Sequence, residues 1–255
     1  MPYSKDFEVS LFQRIHRLSG NEFPVDVFAF AKKLAVVEIE SRTMAIDGYL
    51  AKRTDGQLAI RFRAGACRVR TRFTIAHEIG HILIAAAEGR EIHGQVARGG
   101  GRSTDEERLA NQIAAAILLP EHLLVPQFQR HSPHWGFLHG IASMFDVSIQ
   151  AAIIRVASLS GLFACNFEIA DPGGAVRLNY SKGHRVLLHE PPRKIPKFVL
   201  RQVSGFGTGR LNLPLQIDGR EIRLPCISRW VDRPEGARLQ VVGWTKCGSG
   251  ANSAK

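Results

Sequence analysis

Apolar residues in the first third of the chain follow two different periods. Spacings of three and four residues predict amphipathic helices, whereas alternation of apolar and polar residues predicts strands. Gly20 ends the first predicted helix, Pro24 opens the second, and Asp55-Gly56 is a dipeptide typical of a tight hairpin turn. The predicted segments are helices over residues 6–20 and 25–35 and strands over residues 36–40, 48–52 and 57–62.

Helical spacing dominates the next hundred positions. Ser103 predicts a helix N-cap, Glu106 three residues later completes a capping box, and Pro120 ends that helix. The glycine triplet 99–101 predicts a loop. The predicted helices are 70–87, 104–119, 121–130, 137–145 and 148–159, with a loop over residues 88–102.

The pattern changes beyond Gly161, where short alternating segments are separated by Gly, Pro, Asp and Asn. This pattern predicts a β-rich second domain with a boundary near residues 160–165. The segments include Phe-Glu-Ile, Val-Arg-Leu, Val-Leu-Leu, Phe-Val-Leu, Leu-Gln-Ile, Ile-Arg-Leu and Leu-Gln-Val-Val-Gly-Trp. The sequence therefore predicts an α+β protein in which residues 1–160 are mostly helical with a small sheet and residues 161–255 form a smaller, basic, β-rich domain.

Composition indicates an ordinary globular protein, because 45% of the 255 residues are hydrophobic and 22% are charged. No apolar run reaches 18 residues, which argues against a transmembrane helix, and the N-terminus lacks the apolar core of a signal peptide. The four cysteines are scattered without a C-x-x-C pair, so neither a disulfide framework nor a cysteine zinc site is expected. Together these features predict a protein of the reducing cytoplasm with no membrane partner.

Positive charge is concentrated in the second predicted domain. The formal net charge is +11, and residues 161–255 carry 15 Lys and Arg against 7 Asp and Glu. Such a surface could bind an acidic partner or nucleic acid, or it could simply be solvated. The sequence has no basic run or aromatic platform that would favour binding over a solvated surface. Direct nucleic-acid binding therefore stays open. The arginines between residues 61 and 72 have the same two interpretations, an acidic substrate segment or a solvated strand edge.

The clearest chemical motif is His77-Glu78-Ile79-Gly80-His81, an H-E-x-x-H sequence inside the predicted helix 70–87. Residues four apart lie on one helical face, so both imidazoles can bind a single Zn²⁺. Zinc lowers the pKa of a coordinated water towards 7, and a carboxylate then suffices as general base. The motif predicts His77 and His81 as metal ligands and Glu78 as the catalytic base.

A catalytic zinc takes three protein ligands, so a third is expected from another element. Glu107, at the start of the predicted helix 104–119, is the first candidate by spacing. Its neighbour Glu106 is the rival, and both also fit an ordinary acidic helix start. Asn111, one turn after Glu107, could hold a ligand from behind.

The residue that would stabilise a developing oxyanion is not determined by the sequence. His93, His122 and Tyr49 are candidates, and each also has an ordinary structural explanation. The pair His131 and His134 has metal-like spacing, but Pro133 between them breaks helical geometry and no third ligand lies near.

Two stretches of this sequence resemble the ImmA/IrrE family of metallopeptidases. R-x-R-F-T-I-A-H-E-I-G-H-I-L is similar to the family core R-F-T-x-A-H-E-x-G-H. E-R-L-A-N-Q-I-A-A-A-I-L-L-P is similar to the family helix E-x-x-A-N-x-F-A-A-x-L-L-x-P, with Ile113 where the family usually has Phe. The resemblance covers roughly residues 20–160 and strengthens Glu107 as third ligand.

The resemblance implies a zincin-like domain followed by helix-turn-helix-like helices. It also implies a zinc endopeptidase, with Mn²⁺ as the alternative ion, that cleaves a cytoplasmic DNA-binding repressor and so acts in transcription regulation or stress response. Some relatives carry a GAF-like sensor domain after these helices, so residues 161–255 are expected to be a sensor or a partner-binding domain.

A non-enzymatic metal-binding transcriptional regulator with a basic C-terminal binding domain is the alternative function. A structural zinc usually has four protein ligands and no poised glutamate, so the intact Glu78 favours the enzyme. We therefore expect a metallo-endopeptidase with a protein substrate.

Overall fold

The computed structural model describes residues 3–92, 95–97, 103–128, 134–159, 162–169, 176–182, 208–217, 220–231 and 238–246. The chain divides into two compact units. One consists of residues 1–131 and 138–155, and the other of residues 132–137 and 156–255. Each unit is treated by itself below.

The part of the chain before residue 160 is α+β, and its described residues form seven helices and a small sheet. In chain order the elements are α1 (Lys5–Ser19), α2 (Val27–Lys32), β1 (Val36–Arg42), β2 (Gly48–Lys52), β3 (Leu58–Arg63), α3 (Arg68–Ala87), β4 (Gln95–Ala97), α4 (Thr104–Leu118), α5 (Glu121–Phe128), α6 (Trp135–Met144) and α7 (Ile149–Leu159). These bounds follow the predicted segments closely, except at α2 and β4.

Local caps explain where the helices begin. Ser4 Oγ accepts a hydrogen bond from the N–H of Phe7, and Ser103 Oγ accepts one from the N–H of Glu106, so α1 and α4 start immediately after a serine. Helix α2 is shorter than the predicted 25–35. The Asp26 carboxylate accepts hydrogen bonds from the second and third residues after it and thereby caps the helix, which starts at Val27 rather than at Pro24.

The small sheet has the strand order β1-β3-β2-β4. Strand β1 runs parallel to β3, while β2 is antiparallel to both β3 and β4. The predicted hairpin turn between β2 and β3 places Gly56 at φ 82°, a left-handed conformation that suits glycine. Strand β4 corrects the prediction of a loop over residues 88–102. It is too short to show a period of its own and depends on pairing with β2. The glycine triplet 99–101 lies outside the described residues.

Helix α3 lies at the centre of the first unit. Its residues Ile75, Ile79 and Leu83 are fully buried, and α3 contacts β2, β3 and α4. Gly80 allows α4 to approach α3 closely, since a Cβ there would stand 3.0 Å from the carbonyl oxygen of Ala110 and 3.1 Å from its Cα. Helix α4 can therefore pack directly against the metal-motif segment of α3.

The described residues beyond position 161 form an antiparallel sheet of five strands in the order β6-β5-β9-β8-β7. The strands are β5 (Leu162–Ile169), β6 (Val176–Lys182), β7 (Thr208–Ile217), β8 (Arg220–Val231) and β9 (Arg238–Lys246). The predicted segments Val-Leu-Leu (186–188) and Phe-Val-Leu (198–200) lie outside the described residues.

No single helix in the described parts of the chain is both long and apolar enough to cross a membrane. The bent pairs α4–α5 and α6–α7 reach the required length only when two helices are taken together.

Candidate metal centre

Helix α3 brings the two histidines of the motif into direct contact. His77 and His81 are one turn apart, and their Nε2 atoms are 3.1 Å from each other. The rings meet edge to face, with an interplanar angle of 80°. Both side chains are buried, with 1% and 2% of the residue exposed. A buried pair of imidazoles is costly unless the ring nitrogens have partners.

Glu107 reaches the same point from α4. Its Oε2 is 3.3 Å from His77 Nε2, and its Oε1 is 3.5 Å from His81 Nε2. Ligand atoms of the three side chains all lie within 4.8 Å of one another, and this is the one group of metal-ligating side chains found among the described residues. The structure thus brings together the three residues that the sequence predicts as ligands.

The outer nitrogen of each histidine faces an acceptor. His77 Nδ1 is 3.0 Å from Asn111 Oδ1, and His81 Nδ1 is 2.9 Å from Glu106 Oε1. An amide oxygen and a carboxylate oxygen only accept hydrogen bonds, so each histidine donates from Nδ1 and directs the lone pair of Nε2 inward. Glu106, the rival third ligand, therefore contacts the outer side of His81, while Glu107 faces the inner nitrogens.

The residues present fit a divalent cation. Two Nε2 lone pairs and a carboxylate converge in a buried space, a concentration of acceptors that a cation relieves. Tetrahedral zinc, with bonds of about 2.0–2.2 Å, separates its ligand atoms by about 3.3–3.6 Å. The two Nε2 atoms are 3.1 Å apart, slightly closer than that range, and they lie 3.3 and 3.5 Å from the two different carboxylate oxygens of Glu107, within it. Side-chain nitrogen and oxygen donors of this kind also suit Mn²⁺ less well than Zn²⁺, since manganese prefers more oxygen ligands.

Glu78 lies next to His77 on α3 and is buried, with 1% of the residue exposed. The local helix explains its place, because one residue along a helix is a rotation of about 100° from the neighbouring side chain. A buried carboxylate beside a cluster of metal-ligating groups is placed to act on a proton there.

The candidates for oxyanion stabilisation and the second histidine pair lie in different parts of the chain. His122 Nε2 donates to the Gly20 carbonyl at 2.8 Å and its Nδ1 lies 2.9 Å from His16 Nδ1, so both ring nitrogens hold α5 to α1. His134 Nδ1 accepts from the N–H of Phe137 at the start of α6. Tyr49 lies on β2, opposite Arg61 of β3 and Ala97 of β4. His93 and His131 lie outside the described residues.

The arginines between residues 61 and 72 are engaged in ion pairs inside the first unit. Asp47 pairs with two of them and Asp146 with another two. The pairs are Arg61 with Glu38 and Glu40, Arg63 and Arg70 with Asp47, and Arg68 and Arg72 with Asp146. Burial lowers the pKa of Arg72, whose guanidinium also donates to the Val25 carbonyl. These contacts join elements of the fold and favour a structural role over an acidic substrate site.

Glu106 and Arg90 lie behind the histidine pair in an arrangement that the sequence does not predict. The sequence predicts Glu106 as a rival metal ligand or as half of a capping box, whereas in the structure its carboxylate contacts His81 and Arg90. Its acidic character at the helix start was the only signal in the sequence, and that signal equally fits a favourable charge near the helix N-terminus.

Three comparisons relate this chain to known proteins. Residues 31–157 match the model of the peptidase M78 family, described as the IrrE N-terminal-like domain. Over 86 residues the chain is 35% identical to the radiation response metalloprotease IrrE of Deinococcus radiodurans. That match covers 33% of this chain and 26% of the relative, so the chain spans about a quarter of the relative's length.

A likeness of fold extends further along the chain. A solved structure described as a Mycobacterium tuberculosis transcriptional regulator superposes with a TM-score of 0.58 and 13% sequence identity, covering 95% of this chain and 76% of that one. At this identity the likeness concerns the fold alone. The family match and the shared motif sequence agree with the buried cluster on α3 and α4. Through the domain that residues 31–157 form, this chain therefore belongs to the ImmA/IrrE family of metallopeptidases.

Proposed function

We propose that this protein is a zinc-dependent endopeptidase that cuts a protein substrate. The observation that carries the proposal is the convergence of two inward-facing Nε2 atoms and the Glu107 carboxylate, with ligand atoms within 4.8 Å, beside the buried Glu78. Three protein ligands leave a position open for water or substrate, which is the arrangement of catalytic rather than structural zinc sites.

Each side chain has one task in this proposal. His77, His81 and Glu107 hold the metal, and donation from Nδ1 selects the tautomer in which each imidazole can bind through Nε2. When bound, zinc supplies Lewis acidity, which makes a coordinated water more acidic and polarises the substrate carbonyl. Glu78 accepts the proton from the attacking water and later passes it to the leaving amine.

The proposed substrate class is supported by the similarity of this chain to known proteins. Family membership supports peptide-bond cleavage, and the relative named as a radiation response metalloprotease supports a role in a stress response. We infer that the substrate is a cytoplasmic DNA-binding repressor whose cleavage relieves repression. The protein itself then acts in the cytoplasm, and residues 161–255 serve as a sensor or partner-binding domain, with a GAF-like fold as the candidate.

We infer a zincin-like arrangement for the small sheet with α3 and α4, supported by the metal motif on a helix packed against a sheet. Helices α6 and α7 meet at 107° across a four-residue turn. That angle lies in the range of about 90–120° found in helix-turn-helix units, which supports the name helix-turn-helix-like.

The first experiment separates metal binding from catalysis. Glu78→Gln keeps the size of the side chain but cannot accept the proton, so the variant is expected to bind one equivalent of zinc and to lose cleavage by about 10²–10⁴-fold. His77→Ala should lose both zinc and cleavage. Zinc content and proteolysis are measured on the purified full chain, and the substrates tested are helix-turn-helix repressors, beginning with any that is encoded beside its gene.

Two outcomes would contradict the proposal. Cleavage by Glu78→Gln at the wild-type rate would exclude Glu78 as the base. Zinc bound with four protein ligands, as judged by X-ray absorption, would instead favour a metal-binding regulator without peptidase activity.

A further inference from the structure

The carboxylate behind His81 is held from two sides. Glu106 is buried, with 7% of the residue exposed. Its Oε1 is 2.9 Å from His81 Nδ1, and its Oε2 is 3.2 Å from Arg90 Nη2. Both neighbours are donors, so a carboxylate with an acceptor on each side satisfies both at once.

Arg90 is held in place by the end of the metal helix. Its Nε and Nη2 donate to Glu88 Oε2 at 2.9 and 2.7 Å. The N–H of Arg90 donates to the Ala85 carbonyl at 2.8 Å, and Gly89 lies at φ 64° between the two charged residues. These are the marks of a Schellman turn, which folds the chain back over the end of a helix.

The two histidines are therefore supported by groups of different charge. Asn111 presents a neutral amide to His77, whereas Glu106 presents a carboxylate to His81. A carboxylate behind an imidazole makes the opposite nitrogen a stronger donor to a metal than an amide does. His81 thus depends on its supporting group more strongly than His77 does.

We propose that Glu106, held by Arg90 and by the turn at Glu88 to Arg90, is a positioning residue that fixes the ring and tautomer of His81 for metal binding. This inference rests on the proposed function, because it takes His81 as a metal ligand. The turn that ends α3 and the first turn of α4 then act on one imidazole together.

Zinc affinity of the full chain, measured by competition with a chelator, tests this role. Glu106→Ala is expected to weaken zinc binding by about 10–100-fold, and the volume-matched Glu106→Gln by less, because its amide oxygen can still accept from His81 Nδ1. Arg90→Ala should weaken it by less, since Glu106 still reaches His81. Asp105→Asn is the matched control, because Asp105 lies in the same helical turn but is 38% exposed and pairs with Arg108. Its zinc affinity should equal that of the wild type.

A second measurement uses the metal-free protein. Nitrogen-15 spectra of the imidazoles should show His81 protonated at Nδ1 in the wild type and in Asp105→Asn, and a mixture of tautomers in Glu106→Ala. Thermal melting of each metal-free variant verifies that it is folded.

The outcomes distinguish the two proposals. Wild-type zinc affinity and an unchanged His81 tautomer in both Glu106 variants would overturn the positioning role and leave the proposed peptidase intact. A wild-type protein that binds no zinc would contradict the proposed function itself. In that case a loss of the Nδ1 tautomer in Glu106→Ala would still show that Glu106 orients the ring.

Discussion

At the residue scale, hydrogen bonding decides what each titratable side chain can do. His77 and His81 have the same chemistry and the same helix, but their outer nitrogens meet an amide and a carboxylate. The same reasoning applies to Tyr3, whose ring stacks on Phe7 and whose hydroxyl bonds to Glu88, the residue that also holds Arg90. The N-terminal segment thus contacts the outer end of the chain of polar groups that leads to His81.

The titration of the Tyr3 hydroxyl tests the contact between Tyr3 and Glu88. Burial, and then the negative charges of Glu88 and Glu106, raise the pKa of Tyr3 to about 12 from its ordinary value of 10.0. The folded protein therefore keeps this proton to higher pH than the unfolded chain does. Its contribution to stability is full below pH 10 and is lost as the pH rises from 10 towards 12.

Ultraviolet absorbance measured against pH should accordingly show a late tyrosinate step near pH 12 that is missing in Tyr3→Phe. A step that survives in the variant would mean that Tyr3 titrates normally and that its hydroxyl is not held at Glu88.

At the scale of elements, the approach of α3 and α4 determines the metal cluster. Of the proposed ligands, His77 and His81 come from α3, and Glu107 comes from α4. The helices approach closely where Gly80 meets Ala110. The spacing of the two helices at this point therefore sets the distance between the histidines of α3 and Glu107 of α4. Changing the contact should alter affinity without touching a ligand.

Gly80→Ala tests the contact. The added Cβ would lie 3.0 Å from the Ala110 carbonyl oxygen, closer than ordinary packing allows, so the helices must separate. We expect a loss of about 1–3 kcal/mol in the free energy of unfolding, despite the better helix propensity of alanine, together with weaker zinc binding.

Gly140→Ala on α6 is the matched control for this change. Among the described residues outside its own stretch of helix, no atom lies within 4 Å of the added Cβ, so the helix should gain up to about 1 kcal/mol from propensity alone. Chemical denaturation and zinc competition measure both variants. Equal effects of the two substitutions would show that the approach at Gly80 does not control the site.

At the scale of the whole molecule, a metal that binds only the folded state ties folding to metal supply. The cluster joins α3 to α4, and the pairs made by Asp47 and Asp146 join α3 to the β2 end and to the turn after α6. Metal binding should therefore shift the unfolding transition of the whole first unit, rather than stabilise only a local loop.

Removal of zinc by a chelator is thus expected to lower the melting temperature. A free zinc concentration 100 times the dissociation constant stabilises by about 2.7 kcal/mol, or roughly 5–10 °C for a unit of this size. Calorimetry with and without chelator measures the shift. His77→Ala should show none, and an equal shift in that variant would place the stabilising metal elsewhere.

Features that depend on local chemistry could be predicted from the sequence. The spacing His77 to His81 puts two imidazoles on one face of any helix, and Ser103 and Asp55-Gly56 specify a cap and a turn through their own backbone contacts. Each of these depends on residues only a few positions apart, so the chain itself constrains the geometry. The predicted start of α2, directly after Pro24, is wrong because the Asp26 carboxylate caps the helix and makes Val27 its first residue.

Only the tertiary structure decided between Glu106 and Glu107. Adjacent residues of a helix point about 100° apart, so either could face the metal until the rotation of α4 against α3 is known. The contact of Gly80 with Ala110 and the turn that carries Arg90 set that rotation, turning Glu107 to the inner nitrogens and Glu106 to the outer side of His81. The sequence by itself thus determined the motif and its chemistry. Packing between distant segments determined which of the two carboxylates faces the inner nitrogens of the histidines, because this depends on distances between helices that no local sequence period encodes.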